Sequence, residues 1–150
     1  MNPITTKTEA DSAIDDLTAI MDRLSGLLAQ ETALVHAGRV RKAAEIAPAK
    51  TELAAKLYTC SERIKANATS LLQLVPARCA ALKDVQETFH AVLKRNMTVL
   101  ATAHAVSEGI VRRLSGELAK KASPQVYGAS GRAVAPNPKH GRPLAVSRTL

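Results

Sequence analysis

The sequence predicts an all-α fold, an antiparallel bundle of three long helices with coiled-coil-like packing, followed by a disordered C-terminal tail. Three features of the sequence support this prediction. Apolar residues recur at steps of three and four over most of the first 122 residues, the spacing of one helix face. Of the 150 residues, 46% are apolar but only 2% are aromatic, so Ala, Leu, Val and Ile dominate. Four of the seven prolines and three of the seven glycines lie beyond residue 122. Residues 1–122 are therefore predicted to form the bundle, and residues 123–150 a basic tail that is disordered alone.

The first helix is predicted over about residues 9–37. Thr8 and Asp11 have the spacing of a capping box at its start, and Gly38 follows its last turn. One slot of its core-facing stripe is polar and is occupied by Glu31. The apolar members of the stripe are Ile14, Leu17, Met21, Leu24, Leu28 and Val35.

The second helix is predicted over about residues 40–75, with Lys50 and Asn67 at polar positions of its stripe. Pro48 lies inside this segment. A proline either kinks a helix or occupies the first turn of a new one, and the periodicity does not distinguish these outcomes.

The third helix is predicted over about residues 77–122 and has the most regular repeat, interrupted by the polar residue Asn96. Pro76 separates it from the second helix, and Lys120 and Lys121 lie where cations favour a helix C-terminus.

Four polar residues at seam positions, Glu31, Lys50, Asn67 and Asn96, are expected to fix helix register and partner choice at some cost in stability. The alternative is that they make polar contacts to a bound helix. Glu31 and Lys50 flank the first interhelical turn, and an ion pair between them is a hypothesis that rests on seam position alone.

The net charge of +8 is unevenly distributed along the chain. Residues 1–37 carry −4, whereas residues 38–75, 76–122 and 123–150 carry +4 each. An acidic helix beside two basic ones provides complementary flanks for packing. Because no helix-turn-helix, basic zipper or aromatic stacking surface accompanies the charge, nucleic acid is not an expected partner.

No enzyme, metal or cofactor chemistry is indicated. The sequence lacks HExxH, CxxC, GxGxxG and Walker A patterns, and its four histidines are widely separated. It also lacks a signal peptide pattern and an apolar run of about 18 residues, so we expect a cytoplasmic protein without membrane insertion.

Three groups of residues together resemble the FlgN-type flagellar export chaperones, over roughly residues 10–132. One lies around the first turn, one in the middle of the last helix, and one just after that helix. They are Leu27-Leu28 with Glu31, Gly38, Lys50 and Leu53; Lys94-Arg95-Asn96 with Val99-Leu100; and Val126-Tyr127-Gly128 with Gly131-Arg132.

The resemblance implies a small cytoplasmic helical chaperone. Such a protein holds hook–filament junction subunits before their secretion through the flagellar type III export apparatus. The resemblance also implies that the client's terminal segment binds to the last helix and to the region after it.

An apolar stripe near the end of the last helix is the expected client-binding surface, because it would extend past the first helix if all helices pack from one end. The alternatives are that these side chains belong to the bundle core or to a homodimer seam. For the whole protein, the alternative function is a generic coiled-coil adaptor with no export client. The expected binding residues are Val106, Ile110, Val111, Leu114, Leu118, Val126 and Tyr127.

Overall fold

The computed structural model describes residues 3–122, of which 91% are helical and none lies in a strand. The prediction of an all-α protein is confirmed for this part of the chain. The predicted tail, residues 123–150, lies outside the described residues, and coiled-coil packing stays a prediction. The helices are α1 (Lys7–His36), α2 (Val40–Ala44), α3 (Ala47–Ala66), α4 (Ala68–Leu74) and α5 (Pro76–Ala122).

The chain divides into two compact units, Met1–Val106 and Ser107–Leu150. The first unit contains α1 to α4 and the larger part of α5. The described part of the second unit is the remainder of α5, residues 107–122.

The middle segment, predicted as one helix over about residues 40–75, forms three helices, so the prediction of a single continuous helix there is wrong. Pro48 lies in the first turn of α3, where its missing N–H costs no helical hydrogen bond, so it marks a new start rather than a kink. A second break falls at Asn67, whose backbone (φ −113°, ψ 18°) leaves the helical region. Asn67 therefore lies between α3 and α4 and not inside a continuous stripe. Pro76 is the first residue of α5.

A capping box two residues earlier than predicted begins α1. Thr6, not Thr8, is the N-cap: its hydroxyl accepts a hydrogen bond from the Glu9 N–H at 3.3 Å. The Glu9 carboxylate in turn accepts hydrogen bonds from the Thr5 and Thr6 N–H groups, each at 3.0 Å. These backbone donors lower the pKa of Glu9 from its ordinary value of 4.5 to about 2.

Stability is expected to depend on pH through Glu9. Because folding lowers this pKa, the ionised carboxylate stabilises the protein fully above about pH 4.5, and this contribution is lost as the pH falls towards 2. Glu9→Gln removes the charge but keeps an acceptor. The difference in free energy of unfolding between wild type and this variant, measured by urea denaturation from pH 7 to pH 2, should shrink below pH 4.5. A difference that stays constant over this range would contradict the role given to the charge.

The core of the first unit lies along α1, which packs against α3 and against the early turns of α5. Lys50 near the start of α3 contacts Glu31 near the end of α1, and Asn67 after α3 contacts Ile4 before α1, so these two helices are antiparallel. Asn96 also contacts Glu31, whereas Arg78, eighteen residues earlier on α5, contacts Asp15. Up to Val106, α5 therefore runs in the same direction as α1. The buried apolar side chains are Ile4, Ala10, Ala13, Ile14, Leu17, Met21, Leu24, Leu28, Leu71, Val75, Leu82 and Phe89.

A short extended segment before α1 closes one end of this core. The Ile4 side chain is only 2% exposed, and its N–H donates to Asn67 Oδ1 at 2.9 Å. The Asn67 amide group donates in turn to the Arg63 carbonyl at 2.9 Å. The break between α3 and α4 thus provides the acceptor that holds the N-terminal segment in place.

None of the helices within residues 3–122 combines the length and the apolar character that crossing a bilayer requires.

Candidate functional site

Three of the four polar seam residues meet at one buried carboxylate. Glu31 on α1 is only 5% exposed. Lys50 Nζ on α3 lies 2.6 Å from its Oε1 atom, and Asn96 Nδ2 on α5 lies 2.8 Å from its Oε2 atom. The ion pair hypothesised from seam position is present, and one side chain joins three helices.

Further hydrogen bonds surround this polar cluster of Glu31, Thr32, Lys50 and Asn96. The Asn96 amide group also lies 3.2 Å from the Leu28 carbonyl and 3.2 Å from Thr32 Oγ1, while the Thr32 hydroxyl donates to the same carbonyl at 2.8 Å. Among the described residues, no buried side-chain nitrogen or oxygen lacks a hydrogen-bond partner. This arrangement supports the register interpretation, because a polar group at the wrong level of the bundle would lose its partners.

The acidic border of α1 meets a cation of α5 at the other end of the first unit. Arg78 Nη2 donates to the Asp15 carboxylate, and Arg78 Nε lies 3.9 Å from Asp11 Oδ1. The hydrogen bond and charge of Asp15 raise the pKa of the Arg78 guanidinium. The expected charge complementarity between the first helix and its neighbours is thus realised here and at Glu31.

The predicted client-binding stripe is exposed wherever the structure describes it. In the second unit the exposed fractions of Ile110, Val111, Leu114 and Leu118 lie between 48% and 58%. Val106, the last residue of the first unit, is 57% exposed. These side chains do not belong to the core, so that alternative is wrong, whereas client binding and a homodimer seam remain. Val126 and Tyr127 lie outside the described residues.

A groove between α1 and α5, which the sequence analysis did not identify, has a volume of about 290 Å³. Its floor is apolar, and an acidic residue lies at its edge on each helix. The two acids, Asp22 and Asp84, adjoin seam positions in the sequence, and that adjacency is the signal that could have indicated it. The lining residues are Met21, Asp22, Ser25, Asp84, Val85, Thr88, Phe89 and Val92.

Within residues 3–122, no side chains are arranged as a metal site, and both cysteines are free thiols. No group of three or more His, Cys, Asp or Glu side chains in this range is arranged to hold a metal ion. Cys60 on α3 and Cys79 on α5 are half-buried free thiols that pack against the core.

These features define an all-helical fold over residues 3–122, with exposed surfaces that suit contact with other helices. Over 142 residues, the chain is 28% identical to the flagellar basal-body protein FlbY of Caulobacter vibrioides, in an alignment that covers 93% of this chain and 95% of FlbY. This similarity supports a flagellar association. No family model matches the chain. No solved structure matches it either.

Proposed function

We propose that this protein is a cytoplasmic, non-enzymatic chaperone of flagellar type III export. It holds hook–filament junction subunits before they reach the export apparatus. The observation that carries the proposal is the exposed apolar stripe of α5 in the second unit. The similarity to a flagellar basal-body protein supports the biological setting, and the sequence resemblance to FlgN-type chaperones supports the activity.

The stripe has the chemistry that capture of an amphipathic helix requires. Ile110, Leu114 and Leu118 recur every four residues and so lie along one side of α5, with Val111 beside them. Each keeps about half of its surface in water, which is unfavourable until a partner covers it. A client helix that lays its own apolar face on these side chains would remove both surfaces from water.

Cations beside the stripe add an electrostatic contribution to such binding. Residues 107–122 contain four Lys or Arg residues and two Glu residues. Charges at the edge of an apolar contact mainly affect the rate of association and the choice of partner, so apolar burial is expected to supply most of the affinity.

Ile110→Asp combined with Leu114→Asp should abolish client binding, because it places two carboxylates in the apolar contact. The fold should survive, since both side chains are exposed. Titration calorimetry with a purified hook–filament junction subunit measures the binding, and far-ultraviolet circular dichroism checks the helix content.

Ala105→Asp combined with Ala119→Asp is the matched control. Both alanines are exposed, and their helical positions lie away from the stripe, so this variant should bind like the wild type. Binding retained by the stripe variant, or lost equally in the control, would contradict the proposal. A stoichiometric complex with a junction subunit also separates an export chaperone from a generic coiled-coil adaptor.

A further inference from the structure

We propose that residues 107–122 of one copy of this chain dock into the α1–α5 groove of a second copy. This self-association goes beyond the proposed function and does not depend on it. It is carried by two surfaces of matching chemistry: an apolar groove with acidic edges, and an exposed apolar helix face with cations beside it.

The groove has a floor that is incompletely covered. Met21 and Phe89 are buried at its base, whereas Val85 and Val92 stay half-buried although they occupy seam positions. Ser25 and Thr88, two small polar side chains, also line the groove. A helix that inserts apolar side chains here would complete the burial of both valines.

The edges of the groove carry one sign of charge. Asp22 on α1 and Asp84 on α5 are both exposed and line it from opposite sides. An occupant that brings cations next to its apolar face would be attracted to these carboxylates, whereas an acidic occupant would be repelled.

The described part of the second unit has the complementary pattern. Arg113 and Lys121 lie about two turns apart on α5, and each is three residues from a member of the apolar stripe, Arg113 from Ile110 and Lys121 from Leu118. Within residues 3–122, neither cation forms an ion pair in the structure. This segment therefore presents apolar side chains and free cations side by side, as the groove requires.

Pairing of the stripe with the groove is favoured over pairing of two stripes. Residues 107–122 carry a net charge of +2, so two identical stripes in contact would bring like charges together. That arrangement would also leave Asp22 and Asp84 without cationic partners. The contact between stripe and groove joins two different surfaces, so it either closes reciprocally in a dimer or continues into longer chains.

One consequence does rest on the proposed function. If the stripe binds clients, self-association covers the client-binding surface in the free chaperone, and client and second copy compete for it. Self-association itself is measurable without any client, so failure of one proposal is distinguishable from failure of the other.

Sedimentation velocity of the full chain over a range of concentrations tests the contact. The wild type should self-associate reversibly. Reversing the groove charges with Asp22→Lys and Asp84→Lys should weaken association roughly ten-fold or more, as should Arg113→Glu with Lys121→Glu, because each places like charges across the contact. The variant with all four substitutions should recover most of the wild-type association.

Asp16→Lys combined with Glu87→Lys is the matched control. It makes the same change in net charge at exposed acids of α1 and α5 that do not line the groove, so association should change little. Four results would each overturn the proposal: a monomeric wild type, equal weakening in the control, no recovery in the four-substitution variant, or association that requires Leu114 but is insensitive to the groove charges. The last result would indicate that two stripes pair with each other.

Discussion

Lys50→Met is expected to lower the free energy of unfolding by about 2–3 kcal/mol, because it removes the cation beside a buried carboxylate while Glu31 stays in place. This loss is smaller than the loss expected for breaking a fully buried ion pair, because the Lys50 side chain is 23% exposed and partly screened by water. The remaining Asn96 hydrogen bond compensates only in part. Urea denaturation at pH 7 measures the change.

The double variant Glu31→Leu with Lys50→Met shows how much of the stability cost of Lys50→Met comes from the lost attraction. The remainder comes from the carboxylate that Lys50→Met leaves buried without a cation. Replacing both partners with apolar side chains removes the uncompensated carboxylate, so it should cost less than the sum of the two single changes. Lys56→Met is the matched control, since its partner Glu52 lies one turn away on the exposed face of α3, and this change should have little effect. Additive effects of the Glu31 and Lys50 substitutions would contradict the coupling described here.

Ile4→Ala should destabilise the protein by about 2–4 kcal/mol, the usual range for emptying a fully buried aliphatic site. Ile4→Val is the milder matched change and should cost about 1 kcal/mol. Because the Ile4 N–H donates to Asn67, the alanine variant should also lose amide hydrogen-exchange protection at residue 4 and in α4. Chemical denaturation and hydrogen exchange followed by nuclear magnetic resonance measure the two effects. A variant as stable as the wild type would show that the N-terminal segment adds nothing to the core.

Helical periodicity predicted α1 and α5 to within two residues at each end, because one apolar face persists along each of them. The same signal failed in the middle segment. Asn67 falls in the correct slot for a helical stripe, yet it ends one helix and accepts a hydrogen bond from Ile4, which is 63 positions away in the sequence. Periodicity records where a residue lies on a face, but it carries no information about a partner so distant along the chain.

Local ambiguity explains the error at the start of α1. Thr6 with Glu9 and Thr8 with Asp11 both have capping-box spacing, and only the first pair carries the longer acidic side chain that reaches back to the N-cap N–H.

Candidate surfaces were predictable only in part. The spacing of the α5 repeat is the same from Leu82 to Ile110, with Asn96 at one position, yet Leu82 is buried and Ile110 is exposed. Which part of a stripe is covered depends on the positions of other helices, so sequence spacing alone identifies the stripe without showing whether it is core or surface. The α1–α5 groove was not predicted for the same reason. It forms only where two segments that are far apart in the sequence lie side by side in the fold.

The carboxylate of Glu31 also gives the first unit a mechanical property. Sliding α5 along α1 by one helical turn, about 5.4 Å, would separate Asn96 from all three of its acceptors on α1 at once. Apolar side chains in a seam find similar neighbours after such a slip, whereas directional hydrogen bonds do not. A pull on α5 would therefore meet its stiffest resistance to shear at this level, about two-thirds of the way from Pro76 to Val106.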